Sequence, residues 1–265
     1  MNTFNNYTIN VGGKLIDLSQ PQVMGILNCT PDSFYAGSRM QTEQAVATRA
    51  NEIIEQGGSM IDIGAYSTRP GATEVSEEEE MTRLRNALAI VRREQPDAVL
   101  SVDTFRPDVA RMAVEEYGAG IINDVSEGDV MEMAAHLGVA YILMSVQPTI
   151  HDTLMVFAEK VRQLRALGQK DIILDPGFGF GKSLEDNYAI LRDMEKLNAL
   201  GLPLLVGVSR KSMIYKLMEI SPEESLNGTT VINTVALMKG ATILRVHDVR
   251  PAMEAISITN MLRQQ

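Results

Sequence analysis

The stretch Asp171–Lys182, DIILDPGFGFGK, carries the pattern that decides the predicted fold. Its apolar run Ile172–Leu174 predicts a short buried strand that ends on the carboxylate of Asp175. A glycine-rich turn with a lysine at its end follows. A carboxylate at the tip of a buried strand is costly unless another group pairs with it. Glycines also suit a loop that bends sharply or lies close to a ligand. We therefore expect a partner or a ligand beside this strand end.

Most of the chain repeats this plan of an apolar strand, a polar strand end and a helix. The predicted strands are Val23–Asn28, Met60–Gly64, Val99–Asp103, Ile121–Asp124, Ala140–Ser145, Ile172–Asp175, Leu204–Ser209 and Ile243–His247. The predicted helices cover Glu43–Gln56 (with Thr42 as N-cap), a segment that starts near Ser76, Val109–Glu116, Val130–Leu137, Thr153–Leu167, Ser183–Ala199, a segment that includes Asn233–Lys239, and Pro251–Leu262. Strict alternation predicts parallel strands joined by right-handed crossovers.

Eight strand–helix units in about 250 residues predict an α/β fold, the (β/α)₈ or TIM barrel. In front of it, segment 7–18 alternates around two glycines and predicts a short N-terminal β-hairpin. We therefore expect one barrel domain over residues 1–265. A doubly wound open sheet is the alternative. That fold favours a glycine-rich phosphate-binding turn after the first strand, and VMGILNCTPDSF at 23–34 does not supply one.

Composition excludes several classes of function. The net charge of −10 argues against a nucleic-acid-binding protein. Cys29 is the single cysteine, so no internal disulfide can form and a reducing compartment is expected. The first residues, MNTFNNYTIN, lack the pattern of a signal peptide, and the sequence has no apolar run of about 18 residues that predicts a membrane span. These observations predict a cytoplasmic protein without membrane partners.

The barrel prediction places many polar side chains at one mouth, because active sites of barrel enzymes lie at the carboxyl ends of the strands. The residues at or just after these ends are Asn28, Asp103, Asn123, Asp124, Asp175, Ser209, Lys211, Arg245 and His247. They are spread over most of the chain, yet the fold would bring them together.

One part of this set suits a flat heterocycle. The carboxylates of Asp103 and Asp175 can accept paired N–H groups from a ring edge, and the amide of Asn123 both donates and accepts. The alternative is a structural role, for instance an ion pair between Asp175 and Lys211 that holds the mouth together.

The other part suits an anion and a cation that accompanies it. The basic residues suited to a phosphate or pyrophosphate are Arg69, Lys211, Arg245 and His247. Asn28 offers an oxygen to Mg²⁺, which often binds through few protein ligands and the phosphates of its substrate. The whole set therefore predicts a site for an aromatic heterocycle that bears a phosphate or pyrophosphate.

Seven segments, in order, resemble the signature segments of the dihydropteroate synthase family. They are MGILNCTPDSF, STRPGA, SVDTFRPDVA, IINDVS, DPGFGFGK, LLVGVSRKS and ILRVHDV, and they extend from about residue 22 to 250. The resemblance implies a TIM-barrel transferase of folate biosynthesis, a sulfonamide target and a homodimer. Its reaction condenses 6-hydroxymethyl-7,8-dihydropterin pyrophosphate with p-aminobenzoate, which gives 7,8-dihydropteroate and pyrophosphate.

The resemblance also implies roles for individual residues. The implied pterin ligands are Asp103, Asn123, Asp175, Lys211 and Arg245, of which Asp103, Lys211 and Arg245 would be catalytic. The implied pyrophosphate ligands are Asn28, Arg69, Arg245 and His247, with Asn28 also binding Mg²⁺. The implied p-aminobenzoate site comprises Thr68, Arg69, Pro70, Lys211 and Ser212. The chain departs from the usual family pattern at Ala36, Ala65, Tyr66, Glu127 and Ser145, none of them an implied pterin or Mg²⁺ position.

Two other hypotheses remain beside the synthase. A pterin-binding methyltransferase has a similar barrel, but it has no need of a pyrophosphate group, so Arg69 and His247 weigh against it. The other is a non-catalytic barrel that binds pterin or a partner protein. The residues whose joint presence weighs against it are Asn28, Arg69, Lys211 and Arg245. The long loops 29–40 and 65–76 have few apolar anchors, which is typical of lids.

Overall fold

The computed structural model describes residues 7–29, 39–66 and 75–263 of the chain. In these ranges the strands are β1 Thr8–Val11, β2 Lys14–Asp17, β3 Gln22–Asn28, β4 Met60–Gly64, β5 Val99–Asp103, β6 Ile121–Asp124, β7 Ala140–Met144, β8 Ile172–Asp175, β9 Leu205–Val206 and β10 Ile243–Val246. The helices are α1 Arg39–Glu55, α2 Glu77–Glu94, α3 Pro107–Tyr117, α4 Met131–Leu137, α5 Ile150–Ala166, α6 Leu184–Asp193, α7 Ser212–Met218, α8 Leu226–Met238 and α9 Val249–Arg263. Short 3₁₀ segments cover Met194–Leu200 and Glu223–Ser225.

Strands β3 to β10 form one parallel sheet that closes on itself. Their order is β8-β7-β6-β5-β4-β3-β10-β9. A parallel bridge between Leu174 of β8 and Leu204, just before β9, joins the two edges, and the Leu174 N–H donates to the carbonyl oxygen of Pro203 at 2.9 Å. The predicted TIM barrel is therefore confirmed, and the open doubly wound sheet is wrong.

The N-terminal hairpin, also confirmed, closes the lower end of the barrel. Strands β1 and β2 pair antiparallel around Gly12 and Gly13, which have φ values of 58° and 88°. Both values favour glycine in a tight hairpin turn. The hairpin buries Ile9 and Val11 against the barrel interior, and the Asn10 N–H donates to Asp171 Oδ1 at 2.9 Å.

The barrel interior is built of two layers with opposite chemistry. The apolar layer, packed against the hairpin, consists of Met24, Met60, Val99, Ile121, Ile173, Leu205 and Ile243. Side chains two residues apart on a strand face the same side. Two residues further along these strands lies the polar layer, formed by Asp62, Ser101, Asn123, Asp175 and Arg245. On the five strands β4, β5, β6, β8 and β10 the interior changes from apolar to polar within one step, which puts the charged groups towards the mouth.

Several element boundaries differ from the predictions, and three of these differences are informative. Strand β9 has only two residues instead of six, because the chain turns between Val208 and Lys211, where the Lys211 N–H donates to the Val208 carbonyl at 3.1 Å. Helix α5 begins at Ile150 because the Thr149 hydroxyl caps it, accepting the Asp152 N–H at 3.1 Å. Helix α1 begins at Arg39, so Thr42 is not its N-cap. None of the helices in the described part of the chain is long and apolar enough to cross a bilayer.

Candidate active site

The site is organised around the guanidinium of Arg245, which projects from β10 into the polar layer. Its Nε donates to Asp62 Oδ2 at 2.6 Å, and its Nη2 donates to Asp103 Oδ2 at 2.7 Å. The Asn123 amide nitrogen donates to the same Asp62 oxygen at 3.1 Å. The structure therefore brings three predicted site residues, Asp103, Asn123 and Arg245, into one connected network.

Asp62, which completes this network, was missed in the sequence analysis. It lies in the middle of β4 with none of its side chain exposed. Polar residues at strand ends were the signal for the predicted site, and Asp62 lies two residues before a strand end. Side chains alternate between the two faces of a strand, so Asp62 faces the same side as the interior residue Met60. This alternation is the signal that could have identified Asp62. A carboxylate at an inward position of a buried strand predicts an internal partner.

Asp103 is held in an environment that opposes its charge. Burial raises the pKa of Asp103 to about 7, and the neighbouring carboxylates Asp62 and Glu80 act in the same direction. The cations Arg245 and Lys211 act in the opposite direction. A perturbed carboxyl group at the mouth of a barrel is typical of a functional site.

The glycine-rich turn after β8 fixes Asp175 and Lys211 at the opposite wall. Asp175 Oδ1 accepts the Gly177 N–H at 2.8 Å, and burial raises the pKa of this carboxyl group. The Lys211 ammonium donates to the Phe178 carbonyl oxygen and lies 4.5 Å from the centroid of the Phe180 ring. Burial lowers the pKa of Lys211 to about 8. Asp175 and Lys211 interact electrostatically, and each shifts the pKa of the other, but the structure does not place them in a direct ion pair.

Two glycines of this turn are required by close approach to other parts of the protein. Gly177 has a φ of 65°, and a Cβ there would lie 2.2 Å from the Ser145 carbonyl oxygen. Gly179 has a φ of 82°, and its Cβ would lie 2.9 Å from Lys211 Cδ. Substitution at either position would displace the Lys211 side chain or the end of β7.

A second part of the site is a cleft between β3, β10 and α1. It encloses about 410 Å³ and is lined by Ile26, Leu27, Asn28, Ala45, Val46, Arg49 and His247. Asn28 and His247 were predicted here, whereas Arg49 was not. Arg49 donates through Nε to the Ile26 carbonyl at 3.1 Å and through Nη2 to the His247 carbonyl at 2.6 Å. Arg49 therefore ties the ends of the two strands together and lends the cleft a positive charge.

The imidazole of His247 is oriented by Ser209, another strand-end residue. Ser209 Oγ accepts the backbone N–H of His247 at 3.1 Å and lies 3.0 Å from His247 Nδ1. Because the hydroxyl oxygen already accepts one bond, its own proton is available to Nδ1. This arrangement favours the tautomer in which Nε2 carries the proton and is a hydrogen-bond donor.

An ion pair outside the cleft positions the turn that carries Lys211. Arg210 donates to both carboxylate oxygens of Asp248, at 2.9 and 2.8 Å. Arg210 has a φ of 55°, a strained conformation for a residue with a side chain. The pair thus links the loop after β9 to the loop after β10 and directs Lys211 and Ser212 towards the mouth.

The remaining predicted residues are either outside the described part of the chain or outside the network around Arg245. Thr68, Arg69 and Pro70, the departure Ala36 and most of both predicted lid loops are outside the described residues. Ser212 is the first residue of α7 and is partly exposed beside Lys211. Asp124, at the end of β6, does not join the network. It accepts from the Tyr141 hydroxyl at 2.5 Å and from the Ser126 N–H at 2.7 Å, and so it shapes the following loop.

Cys29 is a packing residue. Its side chain is almost fully buried in the core outside the barrel, and burial raises the pKa of the thiol to about 12. A thiol that stays protonated is a poor nucleophile. Cys29 is therefore a poor candidate for a protein nucleophile.

The fold and the site define a pterin-binding enzyme barrel. A family described as "Pterin binding enzyme" matches residues 24–247. Dihydropteroate synthase of Escherichia coli strain K12 is 40% identical over 264 residues, which cover 93% of each chain. On this evidence the chain belongs to the dihydropteroate synthase family, the transferases that form dihydropteroate in folate biosynthesis.

Solved structures of the family agree in fold over nearly the whole chain. The Xanthomonas albilineans dihydropteroate synthase with 4-aminobenzoic acid has a TM-score of 0.90 and 35% identity, covering 98% of this chain and 100% of that one. The Xanthomonas albilineans enzyme in complex with 7,8-dihydropteroate has a TM-score of 0.88 and 32% identity, with the same coverage. Of the three functional hypotheses, these comparisons support the synthase.

Proposed function

We propose that the two parts of this site divide the work of the synthase reaction. The polar layer binds the pterin ring of 6-hydroxymethyl-7,8-dihydropterin pyrophosphate, and the cleft beside it binds the pyrophosphate. The observation that carries this proposal is the position of Arg245 and His247 on one strand end. Arg245 is bonded into the polar layer, whereas His247 lines the cleft two residues later. A ligand that extends from one to the other carries its reacting methylene between them.

In the polar layer, Asp175 and Asn123 read the ring edge. Asp175 Oδ1 is occupied by Gly177, so its second oxygen is the acceptor for a pterin N–H. Asn123 Nδ2 is occupied by Asp62, so its oxygen Oδ1, buried and without a partner, accepts another. Lys211 donates to the ring carbonyl, and the guanidinium of Arg245 lies along the ring face.

In the cleft, His247 and Arg245 donate to the pyrophosphate oxygens, with Arg69 as a further cation from the loop after β4. The donor set at Asn28 fits Mg²⁺. The side chain of Asn28 is exposed at the cleft and offers one amide oxygen, and the described residues contain no cluster of three or more acidic, histidine or cysteine side chains that would form a protein cage. Mg²⁺ is satisfied by few protein ligands together with water and substrate phosphates. When bound, it would neutralise charge on the departing pyrophosphate.

The chain's own residues support departure of pyrophosphate before attack by the amine. His247, Arg245 and Arg69 stabilise the leaving anion electrostatically. The carboxylate of Asp103 faces the methylene as positive charge develops there. The arylamine nitrogen of p-aminobenzoate then attacks, so no protein nucleophile is needed. Thr68, Arg69, Pro70, Lys211 and Ser212 frame the p-aminobenzoate site in this proposal.

The test is release of pyrophosphate from the dihydropterin pyrophosphate with Mg²⁺, measured with and without p-aminobenzoate. We expect release and equimolar 7,8-dihydropteroate only when both substrates and the metal are present. Chelation by EDTA should abolish turnover, and excess Mg²⁺ should restore it. Tight binding of the pterin without release under all conditions would contradict the proposal.

We also propose a homodimer that buries the outer faces of α8 and α9. Each helix presents a stripe of exposed apolar side chains at helical spacing, consisting of Val231, Val235 and Met238 on α8 and Ile258, Met261 and Leu262 on α9. The two helices pack side by side, so the two stripes lie on neighbouring helices. Contiguous exposed apolar patches are typical of protein interfaces. Sedimentation should show a dimer for the wild type and a monomer for the Val235→Glu/Ile258→Glu variant. A monomeric wild type would contradict this part.

A cytoplasmic location, expected from the single cysteine, completes the proposal.

A further inference from the structure

The buried network around Asp62 contains more acceptors than donors. Asp62 Oδ2 accepts from both Arg245 and Asn123, whereas Asp62 Oδ1 is buried without a partner. Ser101 Oγ, on the strand position paired with Asp62, is buried without a partner as well. Buried polar groups without partners are rare in proteins and indicate a ligand, a water or a functional constraint. Asp62 therefore has a role that packing alone does not explain.

We propose that Asp62 is a positioning residue of the pterin site, which fixes the guanidinium of Arg245 and sets the orientation of the Asn123 amide. This inference rests on the proposed function of the polar layer and goes beyond it, because the two contacts that define the role of Asp62 are to Arg245 and Asn123. Two of the predicted pterin ligands depend on the one oxygen of Asp62 that accepts at 2.6 and 3.1 Å.

The orientation of the Asn123 amide has a consequence for recognition. An amide side chain can present either its oxygen or its nitrogen to a ligand, and its other neighbours decide which. Because the Asn123 nitrogen donates to Asp62, the oxygen faces the site as an acceptor. The ligand edge at this position must therefore carry an N–H. A ring with a lone pair in that place would meet the Asn123 oxygen and bind poorly.

The hold on Arg245 has a different consequence. Arg245 joins Asp62 on β4 to Asp103 on β5, so a single cation bridges two carboxylates on neighbouring strands. Arg245 can therefore donate to the pyrophosphate only from this position, because a larger movement would leave one of the two carboxylates uncompensated in a buried setting. Asp62 thereby keeps the guanidinium over the ring position and leaves His247, on the same strand end, as the donor that reaches further into the cleft.

The test uses two variants that separate these effects. Asp62→Ala removes both contacts, and its affinity for the dihydropterin pyrophosphate, measured by calorimetry without p-aminobenzoate, should fall at least about tenfold. The KM for p-aminobenzoate should change less than about twofold, because the described contacts of Asp62 do not reach Lys211 or Ser212. Asp62→Asn keeps the shape and an acceptor oxygen but removes the charge, so its loss of affinity should be smaller.

The pH profile of Asp62→Asn tests whether Asp62 acts on the chemistry of the site. This profile would not change if Asp62 only stabilised the fold. Asp103 is faced by Arg245 from β10, Asp62 from β4, Glu80 from α2 and Lys211 from the loop before α7. Removing the negative charge of Asp62 makes ionisation of Asp103 easier. The acid limb of the kcat/KM profile should therefore move to lower pH by about one unit in Asp62→Asn.

Asp124→Asn is the matched control, since Asp124 is equally buried at the end of the next strand but one and does not contact Arg245. It should lower thermal stability and leave the acid limb in place. If wild type and both Asp62 variants bind the pterin pyrophosphate equally, or if Asp124→Asn moves the pH profile as Asp62→Asn does, the role of Asp62 is overturned. Failure of the wild type to bind would instead overturn the proposed function. If Asp62→Ala does not fold, the pH profile and affinity of Asp62→Asn decide alone.

Discussion

The apolar and polar layers of the barrel interior are one step apart on the five strands that carry both, yet the two layers have opposite roles. Ile121 in the apolar layer packs against the hairpin and is fully buried. Asn123, two residues later on the same strand, has a buried oxygen without a partner. The apolar layer therefore stabilises the fold, whereas the polar layer holds charges and orphaned groups that cost stability. Barrel enzymes separate stability and chemistry between their two faces in this way.

The largest expected effect is a loss of turnover when Asp103, at the mouth of the barrel, is substituted. Asp103→Asn removes the charge that faces the developing cation, so kcat should fall about 10³-fold, which corresponds to about 4 kcal/mol. The fold should persist, because Asp62 still balances Arg245 at 2.6 Å. Steady-state kinetics with circular dichroism on the same sample measures both. A folded variant with near-normal turnover would contradict the role of Asp103.

A matching substitution in the apolar layer should lower stability and leave turnover nearly unchanged. Ile121→Ala leaves a cavity in a closely packed interior and should lower the free energy of unfolding by about 3 kcal/mol. Because Ile121 does not touch the network at Arg245, kcat of the folded fraction should stay within about twofold of wild type. Urea unfolding and active-site-normalised kinetics provide the check. A large loss of kcat with unchanged stability would show that the two layers are not separate.

The raised pKa of Asp103 also predicts that the stability of the fold depends on pH. Its pKa in the folded protein is about 7, whereas an unfolded aspartate titrates near 3.8. A carboxyl group whose pKa is raised by folding destabilises the fold once it must ionise. This penalty is absent below about pH 4 and grows as the pH rises to about 7. Asp103→Asn should therefore gain stability over wild type across this window, on the order of 1–2 kcal/mol after allowance for solvent screening. A thermal-unfolding difference that is constant between pH 4 and 8 would contradict the raised pKa.

These predictions also show how far sequence patterns reach. Eight apolar runs and their polar ends predicted the barrel and placed Asp103, Asn123, Asp175 and Arg245 correctly at one mouth. Asp62 was missed because the prediction relied on strand ends. Its position two residues after Met60 nevertheless indicates that it faces the barrel interior. The partners of Lys211 could not be predicted, because the turn 176–182 brings the Phe178 carbonyl and the Phe180 ring to its ammonium. Closure at the two-residue strand β9 depends on backbone bonds that no side-chain pattern encodes.

Arg49 is another residue that the sequence did not predict. A substitution there tests whether the cleft and the polar layer have separate roles. Arg49 lies at helical spacing from the buried residues Val46 and Ile53, so it shares the face of α1 that packs on the barrel. Arg49→Leu removes both donors to the ends of β3 and β10, so the KM for the dihydropterin pyrophosphate should rise about tenfold. The KM for p-aminobenzoate should be unchanged. Arg93→Leu, which removes an exposed cation on α2, is the control. Equal effects of the two variants would exclude a specific role for Arg49.

The smallest expected effect concerns the ion pair behind the site. Asp248→Asn weakens the two bonds that hold Arg210, at 2.9 and 2.8 Å, and neutralises the carboxylate. Because both partners are partly exposed, the loss of stability should be only about 0.5–1 kcal/mol, and it should shrink at high salt. The strained backbone of Arg210 then has less to hold it, so kcat/KM should fall about twofold to fivefold through displacement of Lys211. Asp108→Asn removes an exposed ion pair on α3 and should do neither. A loss of activity as large as that of Asp103→Asn would mean that Asp248 acts inside the site rather than behind it.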